Sequence, residues 1–283
     1  MGKIPLLAAN GWRVQRQLIE QQLLTTYPCD EAKALSWWVV EELTQRSRTQ
    51  LLTSQESCFL PAERTADIVE RLLKHEPVQY IFSHTLWRGL DLEVSPAVLI
   101  PRPETAQLVD WVLQEQSSEQ PLQVLDACTG SGCIAIALKT ERPMWQVTGC
   151  DISQEALEIA RKNGTKHNTD IQWLQTDILT DKTLSTHRWD CVVSNPPYIP
   201  SEEKVSMPRN VVEYEPHTAL FVPNDDPLLF YRSLAQLHTH SLYVEAHEQQ
   251  AQAVADLLKQ NGYTNVTIRH DLYGRERMVG ARR

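Results

Sequence analysis

The chain has 283 residues, of which 42% are hydrophobic and 22% charged, and its formal net charge is −9. Such a composition belongs to a soluble globular protein with room for one large domain and a smaller one, and it excludes disorder and fibre. The acidic balance also argues against tight, non-specific binding along a phosphate backbone.

Cys29, Cys58, Cys128, Cys133, Cys150 and Cys191 form no C-x-x-C pair. They read as reduced, buried thiols of a cytoplasmic protein rather than as a disulfide framework. The apolar stretch 4–9 is too short for a secretory signal or a membrane span, and Leu6 stands where a myristoylation motif needs Ser or Thr.

Segments 12–24, 30–43 and 61–73 space apolar residues three and four apart. This predicts a small helical bundle, with Asp30 as an N-cap and Pro61 in a first turn. Trp37, Trp38, Val39 and Val40 are more adjacent apolar residues than one helical stripe hides, and they are expected to pack between the bundle and the next domain. Between residues 76 and 99 the period changes, and 85–87 with 90–94 around Gly89 read as a β-hairpin. Residues 100–105, IPRPET, break the strand, and Pro103 opens a helix over 104–113.

Beyond Pro121, strands at 122–127, 146–150, 171–174 and 189–194 alternate with helices at 132–139 and 155–163. That alternation predicts a parallel sheet with helices on both faces. An irregular segment, 201–226, leads to a helix at 227–237, a strand at 242–245 and a helix at 248–260. Strands 264–270 and 275–280, around a turn at Gly274, supply an antiparallel edge.

Four stretches carry chemistry. The strand 189–194 ends in Asn195-Pro196-Pro197-Tyr198, a stiff turn whose prolines offer carbonyls and no N–H. The Asn195 side-chain oxygen and the Pro196 carbonyl can each accept one hydrogen of a planar NH2 group, with Tyr198 against its flat face. The strand through Asp126 runs into Cys128-Thr129-Gly130-Ser131-Gly132, a glycine-bearing turn that opens a helix and lets backbone approach a nucleoside-type ligand. Asp151 stands about 20 residues on, where a carboxylate binds ribose hydroxyls. Asp177, before Ile178, is placed to accept from an adenine amino group. There is no G-x-S-x-G elbow or H-E-x-x-H pair, and His238 with His240 reads as a polar loop, so no metal is expected.

In this order and spacing, the four stretches resemble a class I S-adenosylmethionine-dependent methyltransferase. IPRPET, Glu215-Pro216 with Ala219-Leu220, and Asp271-x-x-Gly274-x-x-Arg277 narrow the resemblance to the HemK/PrmC family, over nearly the whole chain. It implies an α/β fold: a Rossmann-like class I methyltransferase with a mostly parallel seven-stranded sheet, a small N-terminal helical bundle and a β-hairpin linker. Residues 1–75 would recognise substrate, 76–100 link, and 101–283 form the methyltransferase domain.

The implied activity is methyl transfer from S-adenosyl-L-methionine, leaving S-adenosyl-L-homocysteine, to the side-chain amide nitrogen of the glutamine in the Gly-Gly-Gln motif of class I peptide chain release factors. Asp126 and Cys128 to Gly132 would serve the cofactor, the latter around its methionine part. Asp151 would take the ribose, and Asp177 and Ile178 the adenine. Asn195, Pro196, Pro197 and Tyr198 would hold the substrate amide, with Asn195 also near the cofactor. A cytoplasmic monomer without stable nucleic-acid or membrane binding is expected.

Cys128 stands where the family usually has glycine, and Asn224-Asp225-Asp226 and His238-Thr239-His240 stand where it favours glycines. Two alternatives stay open from the residues: an adenine-N6 type nucleic-acid methyltransferase, since NPPY specifies only a planar NH2, and a non-catalytic binding protein that lost its cofactor through Cys128.

Overall fold

A computed structural model describes residues 11–54, 58–116 and 119–283, so the apolar stretch 4–9 lies outside the described residues. The chain divides into two compact units, Met1–Phe82 and Ser83–Arg283, which places the hairpin with the second.

The first unit holds α1 (Trp12–Leu23), α2 (Cys29–Thr44), α3 (Arg48–Thr53), α4 (Ala62–Leu73) and α5 (Val78–Phe82). Its core gathers Ile19, Leu23, Val39, Val40, Leu51 and Leu72. Trp37 meets Trp12 at 5.7 Å between ring centroids, and the guanidiniums of Arg16 and Arg48 lie over it at 4.9 and 4.4 Å. The run 37–40, expected to pack between domains, is thus part of the bundle's own core, with Trp38 partly buried against it. Asp30 is not the N-cap: Pro28 is, and Asp30 lies in the first turn of α2, where its charge meets the positive end of the helix. Pro61 stands one position earlier than expected, as the N-cap of α4.

The second unit opens with the antiparallel hairpin β1 (His84–Trp87) and β2 (Leu90–Glu93). Arg88 and Gly89 have φ of 49° and 76°, the two left-handed residues of a turn that matches strand twist. Then follow α6 (Pro103–Glu115), β3 (Gln123–Ala127), α7 (Cys133–Glu141), β4 (Gln146–Asp151), α8 (Gln154–Lys166), β5 (Gln172–Gln175), α9 (Thr183–Thr186) and β6 (Trp189–Ser194). The segment expected to be irregular carries β7 (Ile199–Pro200), a 3-10 turn, α10 (Arg209–Tyr214), a second 3-10 turn and β8 (Phe221–Val222), which pairs parallel with β7. The chain ends in α11 (Leu229–Ala235), β9 (Thr239–Glu245), α12 (Ala251–Gln260), β10 (Thr264–His270) and β11 (Glu276–Arg282).

The seven-stranded sheet has the order β10-β11-β9-β6-β3-β4-β5. It is parallel from β9 to β5, and β11 and β10 form the antiparallel edge. Strand order runs outward from β3 through β4 to β5, then returns to β6 on the other side of β3. That reversal opens a crevice beyond the carboxyl ends of the central strands. Successive residues bury on opposite faces: Val124, Cys191, Val193 and Tyr243 in one core, and Leu125, Val192, Leu242 and Val244 in the other. Both faces are therefore dry, as the apolar strand runs require.

The loop after β3 depends on Trp173 of β5. A Cβ at Gly149 would lie 2.5 Å from the Trp173 ring and 3.0 Å from Thr129 Oγ1, and one at Gly132 would lie 2.8 Å from the ring. Gly149→Ala is therefore expected to destabilise the protein by about 1–3 kcal/mol through overpacking. Urea unfolding of wild type and variant measures it.

Candidate active site

The crevice is a cavity of about 340 Å³, bounded by the turn after β3 and by the ends of β4, β5 and β6. Cys128, Thr129, Gly130, Ser131, Asp151, Asp177, Ile178, Asn195 and Pro197 line it. The structure thus brings together residues read separately from four stretches of sequence. Asp126, Gly132, Pro196 and Tyr198 are not among the lining residues.

Asp126 is fully buried. Its Oδ2 accepts from the Thr129 hydroxyl and, at 3.1 Å, from the Ala135 N–H, which folds the 128–132 turn and the first turn of α7 onto one carboxylate. Its Oδ1 has no partner among the described residues. Burial pushes the carboxyl up to about 7. Gly132, at φ 82°, is the N-cap of α7. Gly130, at φ 54°, has nothing within 4 Å of where a Cβ would stand, so the backbone there lies open to a ligand.

Cys128 has φ 60°, the left-handed conformation that costs a side-chain-bearing residue about 1–2 kcal/mol. Burial raises its thiol well above the ordinary range and holds those of Cys133, Cys150 and Cys191 at about 12. These thiols are protonated and unreactive at neutral pH. Cys29 differs from the expectation of burial and is exposed.

Asp151 does not cap α8; Ser153 does, accepting from the Ala156 N–H at 3.0 Å. The Asp151 carboxylate accepts one backbone N–H on each oxygen, from Gly130 at 2.9 Å and Ser153 at 3.0 Å. One acceptor position per oxygen remains for a pair of hydroxyls. Burial raises its pKa. Asp177 accepts from the Leu179 N–H at 2.9 Å and the Thr180 hydroxyl at 3.0 Å, while Ile178 is buried against the core. A nucleoside suits this set: an open glycine beside a carboxylate that offers acceptor positions.

At the opposite wall, the Ser194 hydroxyl donates to the Ala127 carbonyl at 2.7 Å and joins the ends of β6 and β3. The Asn195 Nδ2 donates to Thr105 Oγ1 at 3.0 Å, and the Thr105 hydroxyl donates to Glu245 Oε2 at 2.7 Å. Tyr198 donates to Glu245 Oε1 at 3.0 Å. Arg102 pairs with the buried Glu215 at 2.5 Å, and the second Glu215 oxygen accepts from the Ile100 N–H at 3.3 Å. This pins the segment after β6 to IPRPET. Burial raises the Glu215 carboxyl against the lowering pull of Arg102.

Thr105 and Glu245 were not among the residues expected to form the site. Thr105 lay inside a noted motif, but its partner is 140 positions away and no spacing signals it.

Known proteins share both units. Residues 16–82 match the family described as PrmC N-terminal domain, and residues 105–214 the family described as Methyltransferase small domain. A release factor glutamine methyltransferase of Bacteroides thetaiotaomicron is 37% identical to this chain, over 94% of it and 98% of its relative. The chain belongs to the release factor glutamine methyltransferase family. Another family member, from Streptococcus pneumoniae, is 39% identical over 88% of this chain and 91% of its own.

Two solved structures share the fold alone. The hMettl16 catalytic domain, in complex with MAT2A 3'UTR hairpin 1, has a TM-score of 0.54 at 14% identity, with 78% of each chain covered. A methyltransferase from Pyrococcus furiosus has 0.50 at 16%, over 77% of this chain and 98% of that one. As a release factor glutamine methyltransferase family member, the chain is a class I enzyme that uses S-adenosylmethionine as methyl donor. Among the described residues, no helix is long and apolar enough to cross a membrane.

Two outcomes test the cofactor side of the site. Burial holds the Asp126 carboxyl at about 7 in the folded protein, against about 3.9 for an unfolded aspartate. Between those values the folded state binds more protons, so its contribution is full below about pH 4 and is lost as pH rises through about 7, by at most about 4 kcal/mol. Asp126→Asn should remove this slope, and the difference between wild type and variant in urea unfolding at stepped pH measures it. Cys128→Gly, which relieves the left-handed strain but adds unfolded-state entropy, should stabilise the protein by up to about 1 kcal/mol.

Proposed function

We propose that this enzyme transfers the methyl group of S-adenosylmethionine to the side-chain amide nitrogen of the glutamine in the Gly-Gly-Gln motif of class I peptide chain release factors. The observation that carries this reading is the Asn195-to-Tyr198 turn, which brings Asn195 and Pro197 into the lining of the cavity, in a chain whose named relatives match it through both units. Cys128 to Gly132 take the methionine part of the cofactor above Asp126, Asp151 takes the ribose, and Asp177 and Ile178 flank the adenine.

Amide nitrogen is a poor nucleophile because its lone pair is shared with the carbonyl. S-adenosylmethionine supplies a methyl group already activated by a positively charged sulfur. What this chain adds is position. Asn195 Oδ1 and the Pro196 carbonyl accept the two amide hydrogens, hold the nitrogen in place and offset the positive charge that develops on it, which is discharged when one of those hydrogens leaves as a proton to water. Pro197 keeps the turn stiff, and Tyr198, anchored on Glu245, edges the amide. The N-terminal helical unit recognises the release factor, with the hairpin segment as the link, and the enzyme works as a cytoplasmic monomer. Its net charge of −9 gives it little pull on nucleic acid.

Incubating wild-type enzyme with a release factor and S-adenosylmethionine, followed by peptide mass spectrometry, should place one methyl group on the Gly-Gly-Gln glutamine. Asn195→Ala should lower kcat by about a hundredfold or more while calorimetry shows cofactor binding within a few-fold of wild type. Methylation at another residue, or an undiminished kcat in the variant, contradicts the reading.

A further inference from the structure

Glu245 ends β9, and its carboxylate joins Thr105 to Tyr198, holding the walls of the substrate subsite together. It is buried to 2% exposure. Two hydroxyls converge on it, Thr105 on Oε2 at 2.7 Å and Tyr198 on Oε1 at 3.0 Å. Burial raises its carboxyl above the ordinary range, against the lowering pull of the Thr105 and Tyr198 hydroxyls and of the guanidinium of Arg277, from the Asp271-x-x-Gly274-x-x-Arg277 motif. Asp271 faces that guanidinium at 3.8 Å and closes the turn before β11 by accepting from the Tyr273 and Arg275 N–H groups at 2.8 and 2.9 Å.

The direction of these bonds matters more than their number. Each Glu245 oxygen accepts a hydroxyl hydrogen, so the single hydrogen of the Thr105 hydroxyl is committed to Glu245. Thr105 Oγ1 can then only accept, and the group 3.0 Å away on Asn195 must be its NH2 end. Asn195 Oδ1 is left as the free end of a side chain that lines the cavity. An asparagine amide without this constraint presents either end at similar cost, and only one of them complements an NH2 group.

We infer that Glu245, acting through Thr105, is the positioning residue that locks the Asn195 amide with its oxygen towards the substrate, and so makes the subsite select an amide NH2 over a carboxylate. The inference rests on the amide-methylation reading. A glutamate in place of the substrate glutamine brings only acceptors to the Asn195 oxygen and the Pro196 carbonyl, and acceptor faces acceptor. Loss of the lock lets Asn195 turn its NH2 to the cavity, which both misplaces the reacting amide and admits the carboxylate.

The test compares wild type with Thr105→Val, which keeps the shape and removes the hydroxyl, Thr105→Ser, which restores it, and Glu245→Gln, which replaces the acceptor with a group that also donates. Three quantities are read: kcat on a Gly-Gly-Gln release factor, S-adenosylmethionine affinity by calorimetry, and the ratio of affinities for Gly-Gly-Gln and Gly-Gly-Glu forms of that release factor. Thr105→Val and Glu245→Gln should lower kcat by about tenfold or more and shrink the Gln-over-Glu ratio by a similar factor, with cofactor affinity held within a few-fold. Thr105→Ser should recover most of both losses. Cofactor affinity and thermal unfolding report folding independently of activity, and a fold defect alone would not change which side chain is preferred. If wild type methylates the glutamine while Thr105→Val keeps its kcat and its Gln-over-Glu ratio, the lock is wrong and the function stands. If wild type itself fails to methylate the glutamine, the function reading falls and the inference with it.

Discussion

Two carboxylates buried at the carboxyl ends of sheet strands, Asp126 on β3 and Glu245 on β9, organise everything around the cavity. A buried carboxylate is costly unless its oxygens are hydrogen-bonded. The chain meets that cost by folding loops onto them. Thr129 and Ala135 come to Asp126, which shapes the 128–132 turn. Thr105 and Tyr198 come to Glu245, which joins IPRPET to the turn after β6. One carboxylate shapes the cofactor side of the crevice, the other the substrate side.

The sheet sets the distance between those two sides. Ala127 and Ser194 are register partners on the adjacent strands β3 and β6, and the Ser194 hydroxyl ties their ends together. The residues that follow, Cys128 on one strand and Asn195 on the other, therefore line one cavity. Close packing further out supports the same turn: Trp173 fills the space left by Gly149 and Gly132. Cys128 keeps the left-handed φ that the turn requires, so the turn holds its shape without glycine there, at a cost in strain of about 1–2 kcal/mol.

Much of this was legible in sequence because the signals were local. Alternating apolar runs and helical spacings marked the sheet strands, and the Pro103 start of α6 and the Gly274 turn followed from backbone chemistry. Short elements escaped. α3 spans only Arg48–Thr53, too few residues to show a period, though the Ser47/Gln50 capping box was there to be read. α10 and the β7–β8 pair were lost in a segment whose order comes from the distant Arg102–Glu215 pair. Asp151, beside the start of α8, is free for the cavity because Ser153 is the cap of that helix, which its position in sequence does not show. Glu245 had no signal at all, since its meaning lies in partners from α6 and the turn after β6. The Trp37–Val40 run misled because apolar excess says that a surface is covered without saying by what.

The central claim is geometric: an amide NH2 is held by the Asn195 side-chain oxygen and the Pro196 carbonyl. A crystal structure of the enzyme with S-adenosylhomocysteine and a Gly-Gly-Gln release factor tests it most directly. The account predicts the glutamine amide nitrogen within hydrogen-bond distance of both oxygens, with Asn195 Nδ2 still on Thr105. A glutamine side chain bound elsewhere, or one that meets the Asn195 turn through its carbonyl oxygen, would contradict it.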